Sequence, residues 1–303
     1  MLNAYRRFKK NTPLRRFATP GIVRTVKKIE LAANSLIRST TKMEHRSKHR
    51  AVAHVGLQKT GTVWFREMFS DPFLYRYSGL RFVDCAGKRD VFDLADGGIF
   101  APIREISQNV IDQISRSGTA TVFVVRNPLS ITLSWLNSTE NYHITGKGDA
   151  GMTERRSELS KRDLAGKIDF ALDYFRAERR FEKIERLLEL AEHNSGILVV
   201  RYEDCVTDPD RAFGRIFAHL DFAVPDSERA QFIRTHSFKS YSGRSIDEKA
   251  KAGSALQGQT HLKIDALSTP DKDRIYAAVG ERFAAFYRPS PNPSVSVQRC
   301  NRD

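Results

Sequence analysis

The chain has 303 residues, of which 40% are hydrophobic and 28% charged, a balance that fits one large α/β domain with extensions and excludes a fibrous or wholly disordered chain. Its net charge of +14 favours anionic partners: nucleotides, acidic glycans, nucleic acid or a membrane surface. The three cysteines (Cys85, Cys205 and Cys300) are scattered and odd in number, which argues against a disulfide framework, and no run reaches the roughly 18 apolar residues that span a bilayer.

Residues 1–48 form a basic extension in which Glu30 and Glu44 are the only acids. Within it, Ile22, Val26, Ile29, Leu31 and Leu36 have amphipathic helical spacing. Three readings fit this composition: a solvated extension, partly helical or disordered; an arm that touches an anionic membrane or an acidic partner; and a cleaved organelle-targeting peptide. The arm carries much of the net charge, so the charge says less about the domain expected over 49–290. Residues 291–303 read as a polar tail. With no apolar signal core near the start, the expected location is cytoplasmic, with membrane contact only peripheral.

The apolar run Ala51–Val55 reads as a buried strand. The turn Gly56-Leu57-Gln58-Lys59-Thr60-Gly61-Thr62 follows, and then the start of a helix near Trp64 and Phe65. A strand, a glycine turn and a helix start aim free N–H groups at one point, where the helix dipole also favours an anion. Lys59 adds a charge, Thr60 and Thr62 add hydroxyls, and Gly61 permits close backbone approach. A Walker A loop has its lysine after the second glycine. Here Lys59 precedes Gly61, so the turn is of another kind.

Residues 70–106 show no clean period and are expected to be an irregular binding segment. Helical spacing returns over Ser107 to Arg116. Thr119 to Val125 reads as a second buried strand, ending at Arg126-Asn127-Pro128, with a helix opening at Pro128. Residues 140–160 are expected to be a polar loop. Leu164 to His193 reads as one or two helices, and Ile197 to Val200 as a third strand ending at Arg201-Tyr202-Glu203-Asp204. Asp208-Pro209 caps a further helix, Ser227 to Thr235 is a short one, 240–262 is a polar loop, and Pro270 opens a last helix to about Tyr287. Buried strands alternating with helices predict a single three-layer α/β domain with a mostly parallel central sheet, whose ligands bind at the carboxyl ends of the strands.

Arg126 and Ser134 stand at a strand end and about two turns along the next helix, where a guanidinium fork and a hydroxyl can grip one phosphate. The turn at Lys59, the segment Arg126-Asn127-Pro128 with Ser134, the segment Arg201-Tyr202-Glu203-Asp204 with Asp208-Pro209, and His236-Ser237-Phe238 occur in that order. Together they resemble the motifs of sulfotransferases that use 3′-phosphoadenosine 5′-phosphosulfate (PAPS), over roughly residues 50–290. The resemblance implies a P-loop-like fold and sulfuryl transfer from PAPS, leaving PAP, to a hydroxyl or amine of a small molecule or glycan. It implies that Lys59, Thr60, Gly61 and Thr62 hold the 5′-phosphosulfate and that Arg126 and Ser134 hold the 3′-phosphate. It places Trp64 and Phe238 beside the adenine, with Tyr202 hydrogen-bonded to it.

The chain departs from that pattern in three places. Val63 stands where a second threonine is frequent. The Arg-Lys-Gly element near the C-terminus has no clear copy, and Lys251 is the nearest candidate, beside Lys249 and Gly253. No histidine matches the base of the cytosolic branch. A carboxylate base is therefore expected, with Glu67 first, Asp84 second and Glu105 a further candidate, and a sugar hydroxyl is the expected acceptor. No metal and no nucleic-acid partner is expected. The competing readings are a P-loop-type nucleotide phosphotransferase, and a non-catalytic membrane- or nucleic-acid-binding protein resting on charge alone.

Overall fold

Strand β1 (Ala51–Val55) is buried along its whole length and lies at the centre of a five-stranded parallel sheet. The computed structural model describes residues 42–86, 92–141, 150–237, 240 and 264–287. The strand order is β2-β3-β1-β4-β5, with β2 at Phe82–Asp84, β3 at Gly98–Ile103, β4 at Thr119–Val125 and β5 at Ile197–Arg201. Every pairing is parallel. The chain leaves β1 with β3 on one side and β4 on the other, so the loop after β1 opens at the point where the strand order reverses. That is where open α/β sheets bind ligands.

The helices in chain order are α1 (Thr62–Phe69), α2 (Pro72–Arg76), α3 (Gln108–Ile114), α4 (Pro128–Asn141), α5 (Ala150–Ser160) and α6 (Leu164–Ala177). There follow α7 (Arg180–His193), α8 (Tyr202–Thr207), α9 (Pro209–His219), α10 (Asp226–His236), α11 (Thr269–Ala277) and α12 (Glu281–Ala285). Strand alternation sorts the core into two layers. Ala51, Ala53 and Val55 of β1, with Phe123 and Val125 of β4, face a layer built by α3, α4, α6, α7, α11 and α12. Val52 of β1, with Val122 and Val124 of β4, faces Trp64, Phe65, Met68 and Phe69 of α1 and the aromatic residues of α9 and α10.

Several expectations need correction. Residues 70–106 are not irregular: they contain α2, β2 and β3. The last part of the expected loop at 140–160 is helix α5, and 142–149 lie outside the described residues. The last helix is two, α11 and α12, separated at Gly280. A side chain at Gly280 would meet Glu185 (2.2 Å), whose carboxylate accepts from Phe283 N at 2.7 Å and so caps α12. The packed unit also reaches back before residue 49. Glu44 pairs with Arg76, and Ser47 Oγ donates to Leu220 O at 2.9 Å. The amphipathic stretch from Ile22 to Leu36 and the polar tail lie outside the described residues.

Candidate functional site

β1 delivers the turn directly to the sheet's switch point. Gly56 N donates to Ile103 O at 3.0 Å, which fixes the start of the turn against the end of β3. Thr60 is buried, and its hydroxyl donates to Leu57 O at 2.8 Å. That hydroxyl therefore shapes the turn from inside. Lys59 has φ 78, a left-handed conformation that costs a non-glycine residue energy and persists only when its surroundings hold it. Arg126 supplies part of that hold, since its Nη1 donates to Lys59 O at 2.7 Å.

Gly61 is the N-cap of α1 with φ 82, and no side chain caps that helix. The first-turn N–H groups of α1 are thus left facing the turn. A Cβ at Gly61 would stand 2.6 Å from the Tyr202 ring. We expect Gly61→Ala to lower unfolding free energy by about 1–3 kcal/mol from backbone strain, before any ring displacement is counted. Denaturant titration measures it, and a variant as stable as the parent contradicts this packing of loop on ring.

Arg126 is 6% exposed. Its guanidinium lies 4.7 Å over the Tyr202 ring, and its Nε has no partner among the described residues. Tyr202 starts α8 at the end of β5, and burial pushes its phenol up. Glu203 accepts from Asn127 N at 3.0 Å, which ties the ends of β4 and β5 together. The three strand-end segments singled out in the sequence therefore meet around one point. Ser134 is half-buried on α4, one turn beyond Ser130, whose buried hydroxyl has no partner among the described residues.

The electrostatics are one-sided. Lys59 is pushed from 10.5 down to about 8, first by burial and then by the charges of Arg126, Arg180 and Arg104. Arg104 follows the end of β3, and burial lowers it too, with Arg66 adding to the effect. Among the described residues, Lys59, Arg104, Arg126 and Arg180 form no ion pair with a carboxylate. Clustered, partly buried like charges are unfavourable unless an anion joins them, and of these four, among the described residues, only Arg104 has an opposing charge nearby, that of Asp84. Sequence reading missed Arg104 and Arg180. Arg104 follows a strand that opens at Gly98, just after Gly97, and carries Pro102, and nothing local marks Arg180.

The remaining expected residues divide. Trp64 is 3% exposed, its indole N–H donates to His236 O at 2.6 Å, and it meets Tyr202 edge-on at 5.8 Å. It belongs to the core layer beneath the turn. Thr62, the first residue of α1, is also buried. Glu67 is half-buried and lies one turn after the exposed Val63 on the same helix face. Asp84 closes a two-toothed pair with Arg66, with Arg66 Nε to Asp84 Oδ1 at 2.8 Å. It also stands at the end of β2, two strands from β1, or about 10 Å across the sheet. Asp84 therefore orients Arg66, and its oxygens are occupied. Phe238 and Lys251 lie outside the described residues.

His54 sits in β1 beneath the turn, stacked on Phe65 at 4.8 Å, with neither ring nitrogen partnered among the described residues. Burial, and then Arg104, push it down to about 3, so it is neutral at physiological pH.

A parallel sheet of this order, with a lysine turn after the central strand and a buried arginine after the next, is an α/β fold of the P-loop-like kind. The sulfotransferase domain family matches residues 102–288, and the chain belongs to that family. The matched span contains Arg126, Ser134 and Tyr202. The Lys59 turn precedes it and joins the site through the sheet. The fold is that of mouse sulfotransferase SULT7A1 complexed with PAP, at 15% identity and TM-score 0.53, covering 80% of this chain and 91% of that one. A retinol dehydratase complexed with androsterone and inactive cofactor PAP aligns at 12% identity and TM-score 0.48, covering 80% of this chain and 83% of that one. No curated protein matches the sequence.

Proposed function

We propose that this sulfotransferase takes its sulfuryl group from PAPS and passes it to an acceptor hydroxyl, with a sugar hydroxyl the preferred reading. The observation that carries the proposal is the Arg126 guanidinium, buried, bonded to the Lys59 carbonyl and left with an unpaired Nε. It gives two cationic anchors side by side at the sheet's switch point, as a nucleotide with two separate anionic groups requires.

Lys59, Thr62 and the first-turn N–H groups of α1 would hold the 5′-phosphosulfate, with Gly61 giving the room and Thr60 holding the turn. Arg126 and Ser134 would hold the 3′-phosphate. Trp64 and Tyr202 would form the floor under the adenine, and Phe238 and Lys251 complete the proposed set. When bound, the donor supplies an activated sulfuryl group whose transfer leaves negative charge on a phosphate oxygen. Lys59 and the α1 N–H groups are aimed at that charge before the reaction begins, so little reorganisation is needed. Glu67 is the preferred group to take the acceptor proton, as the carboxylate closest in sequence to the turn.

Calorimetry with PAP against AMP and ATP tests the donor class. We expect PAP to bind best, because only it offers a 3′-phosphate to Arg126. Equal affinity for AMP would refute this reading.

The shifted lysine adds a pH signature. In the free protein Lys59 releases its proton near pH 8, whereas an unfolded chain keeps it to 10.5. Between those values the unfolded state holds more protons, so the cost of this buried charge is full below pH 8 and is relieved as pH rises. A bound phosphate favours the charged form and raises the pKa again. PAP binding should therefore take up a proton between about pH 8 and 10, and weaken as pH rises through that window. Calorimetry in buffers of different ionisation enthalpy reads the uptake directly. Lys59→Met should remove it, and an undiminished uptake in that variant assigns the proton to another group.

A further inference from the structure

Two arginines, Arg104 and Arg180, lie on the side of the Lys59 turn away from Arg126. Arg126 follows β4, on one side of the Lys59 turn, and Arg104 follows β3, on the other. Val55, at the end of β1, is in register with Ile103, so Arg104 emerges beside the turn. Arg180 reaches the same side from α7. Lys183 Nζ lies 4.0 Å from Glu105 Oε2, and Arg186 bonds Gln108, so the first half of α7 lies along the segment that follows β3.

Arg180 is 9% exposed and is set against the rings of Tyr174 and Phe175 at 5.1 and 5.2 Å. Its Nη2 donates to Gln58 Oε1 at 3.2 Å, which aims the guanidinium at the turn. Its Nη1 and the Nε of Arg104 are buried and have no partner among the described residues. An unpaired buried guanidinium donor is costly, and two beside one lysine are more so. The donor's two anionic groups are already answered by Lys59 and Arg126.

We propose that Arg104 and Arg180 form an acid-binding subsite for the acceptor, so that the preferred acceptor carries a carboxylate or an ester of sulfuric or phosphoric acid near the hydroxyl that is sulfated. This rests on the PAPS-dependent reading above and narrows its acceptor class. The β4 side of the turn serves the 3′-phosphate, and the β3 side receives the acceptor. Rigid arginine forks suit acid groups of that geometry and give little to a neutral sugar. The charges of both arginines reach Lys59, consistent with one continuous cationic cleft.

The test uses the full chain saturated with PAP, titrated by calorimetry with 4-nitrophenyl β-D-glucoside, its 6-sulfate and the matching glucuronide. We expect one or both acidic ligands to bind at least about tenfold more tightly than the glucoside, the scale of one hydrogen bond to a charged group. The sulfate and the glucuronide distinguish an ester from a carboxylate as the preferred acid. Arg180→Gln should erase the preference while changing PAP affinity by less than about threefold. Arg104→Gln is the second variant, since Arg180 packs on two rings and its replacement also removes packing.

Equal binding of all three ligands, or binding of none, to protein that binds PAP overturns the proposal. So does a loss of PAP affinity in either variant as large as the loss of acidic ligand, which would move that arginine to the donor side. A parent protein that fails to bind PAP refutes the PAPS reading instead.

Discussion

Lys59→Ala is expected to fold normally and to lose sulfuryl transfer by a factor on the order of 10²–10³, the size seen when one preorganised donor to a developing charge is removed. Both halves follow from the same geometry. The ammonium is held near Arg126, Arg180 and Arg104, and burial together with these charges has already pushed its proton affinity down. Deleting it relieves repulsion, so stability should not fall. Alanine inherits the φ of 78 with about the same strain as lysine, and the carbonyl that Arg126 grips is retained. PAP release from PAPS measures the rate, and a thermal melt followed by circular dichroism measures the fold. Full activity in this variant would remove Lys59 from the mechanism. A melt lowered along with the activity would make the residue a structural one.

The parts of this fold that could be read from sequence are those whose signal is local. β1, β4 and β5 are short apolar runs because both faces of a parallel sheet are covered, and such runs stand out. β2 and β3 do not. β2 has three half-buried residues, and β3 opens at Gly98, directly after Gly97, and carries Pro102, each a reason to read a turn. Helix α5 is hidden for a different reason. Among its residues from 151 to 160 only Leu159 is buried, so they show no apolar stripe to betray the helix. The divided last helix needed Glu185, which is distant in sequence and occupies the space a side chain at position 280 would take.

The site divides in the same way. Lys59, Gly61, Arg126 and Tyr202 belong to contiguous motifs at strand ends, and parallel topology brings strand ends together without further information. Asp84 was readable only as a carboxylate near the right place. Its pairing with Arg66 is a tertiary fact, and it removes Asp84 from candidacy as a free base. Arg104 and Arg180 are seventy-odd positions apart, and their shared orientation toward one turn exists only after α7 has packed along the end of β3.

Arg126→Ala is expected to weaken PAP binding by about 1.5–3 kcal/mol, the scale of hydrogen bonds to charged groups. Two physical routes lead to that loss, and they separate experimentally. The first is direct: the fork loses its grip on the 3′-phosphate. The second is indirect: Nη1 no longer holds the Lys59 carbonyl at 2.7 Å, and a strained φ of 78 relaxes toward ordinary conformations. The direct route affects PAP and spares AMP, which has no 3′-phosphate. The indirect route weakens both, since the turn that holds the 5′-group is no longer preorganised. Measuring both ligands on Arg126→Ala and Arg126→Lys resolves them. Lysine restores a charge but not the fork over Tyr202, so it should recover part of the PAP affinity and little of the turn's order. We expect the preference for PAP over AMP to collapse in the alanine variant, with a smaller common loss from the turn. Unchanged affinity for both ligands would mean that this buried guanidinium serves only the packing of the turn on Tyr202, and the placement of the 3′-phosphate would have to move to the far side of Lys59.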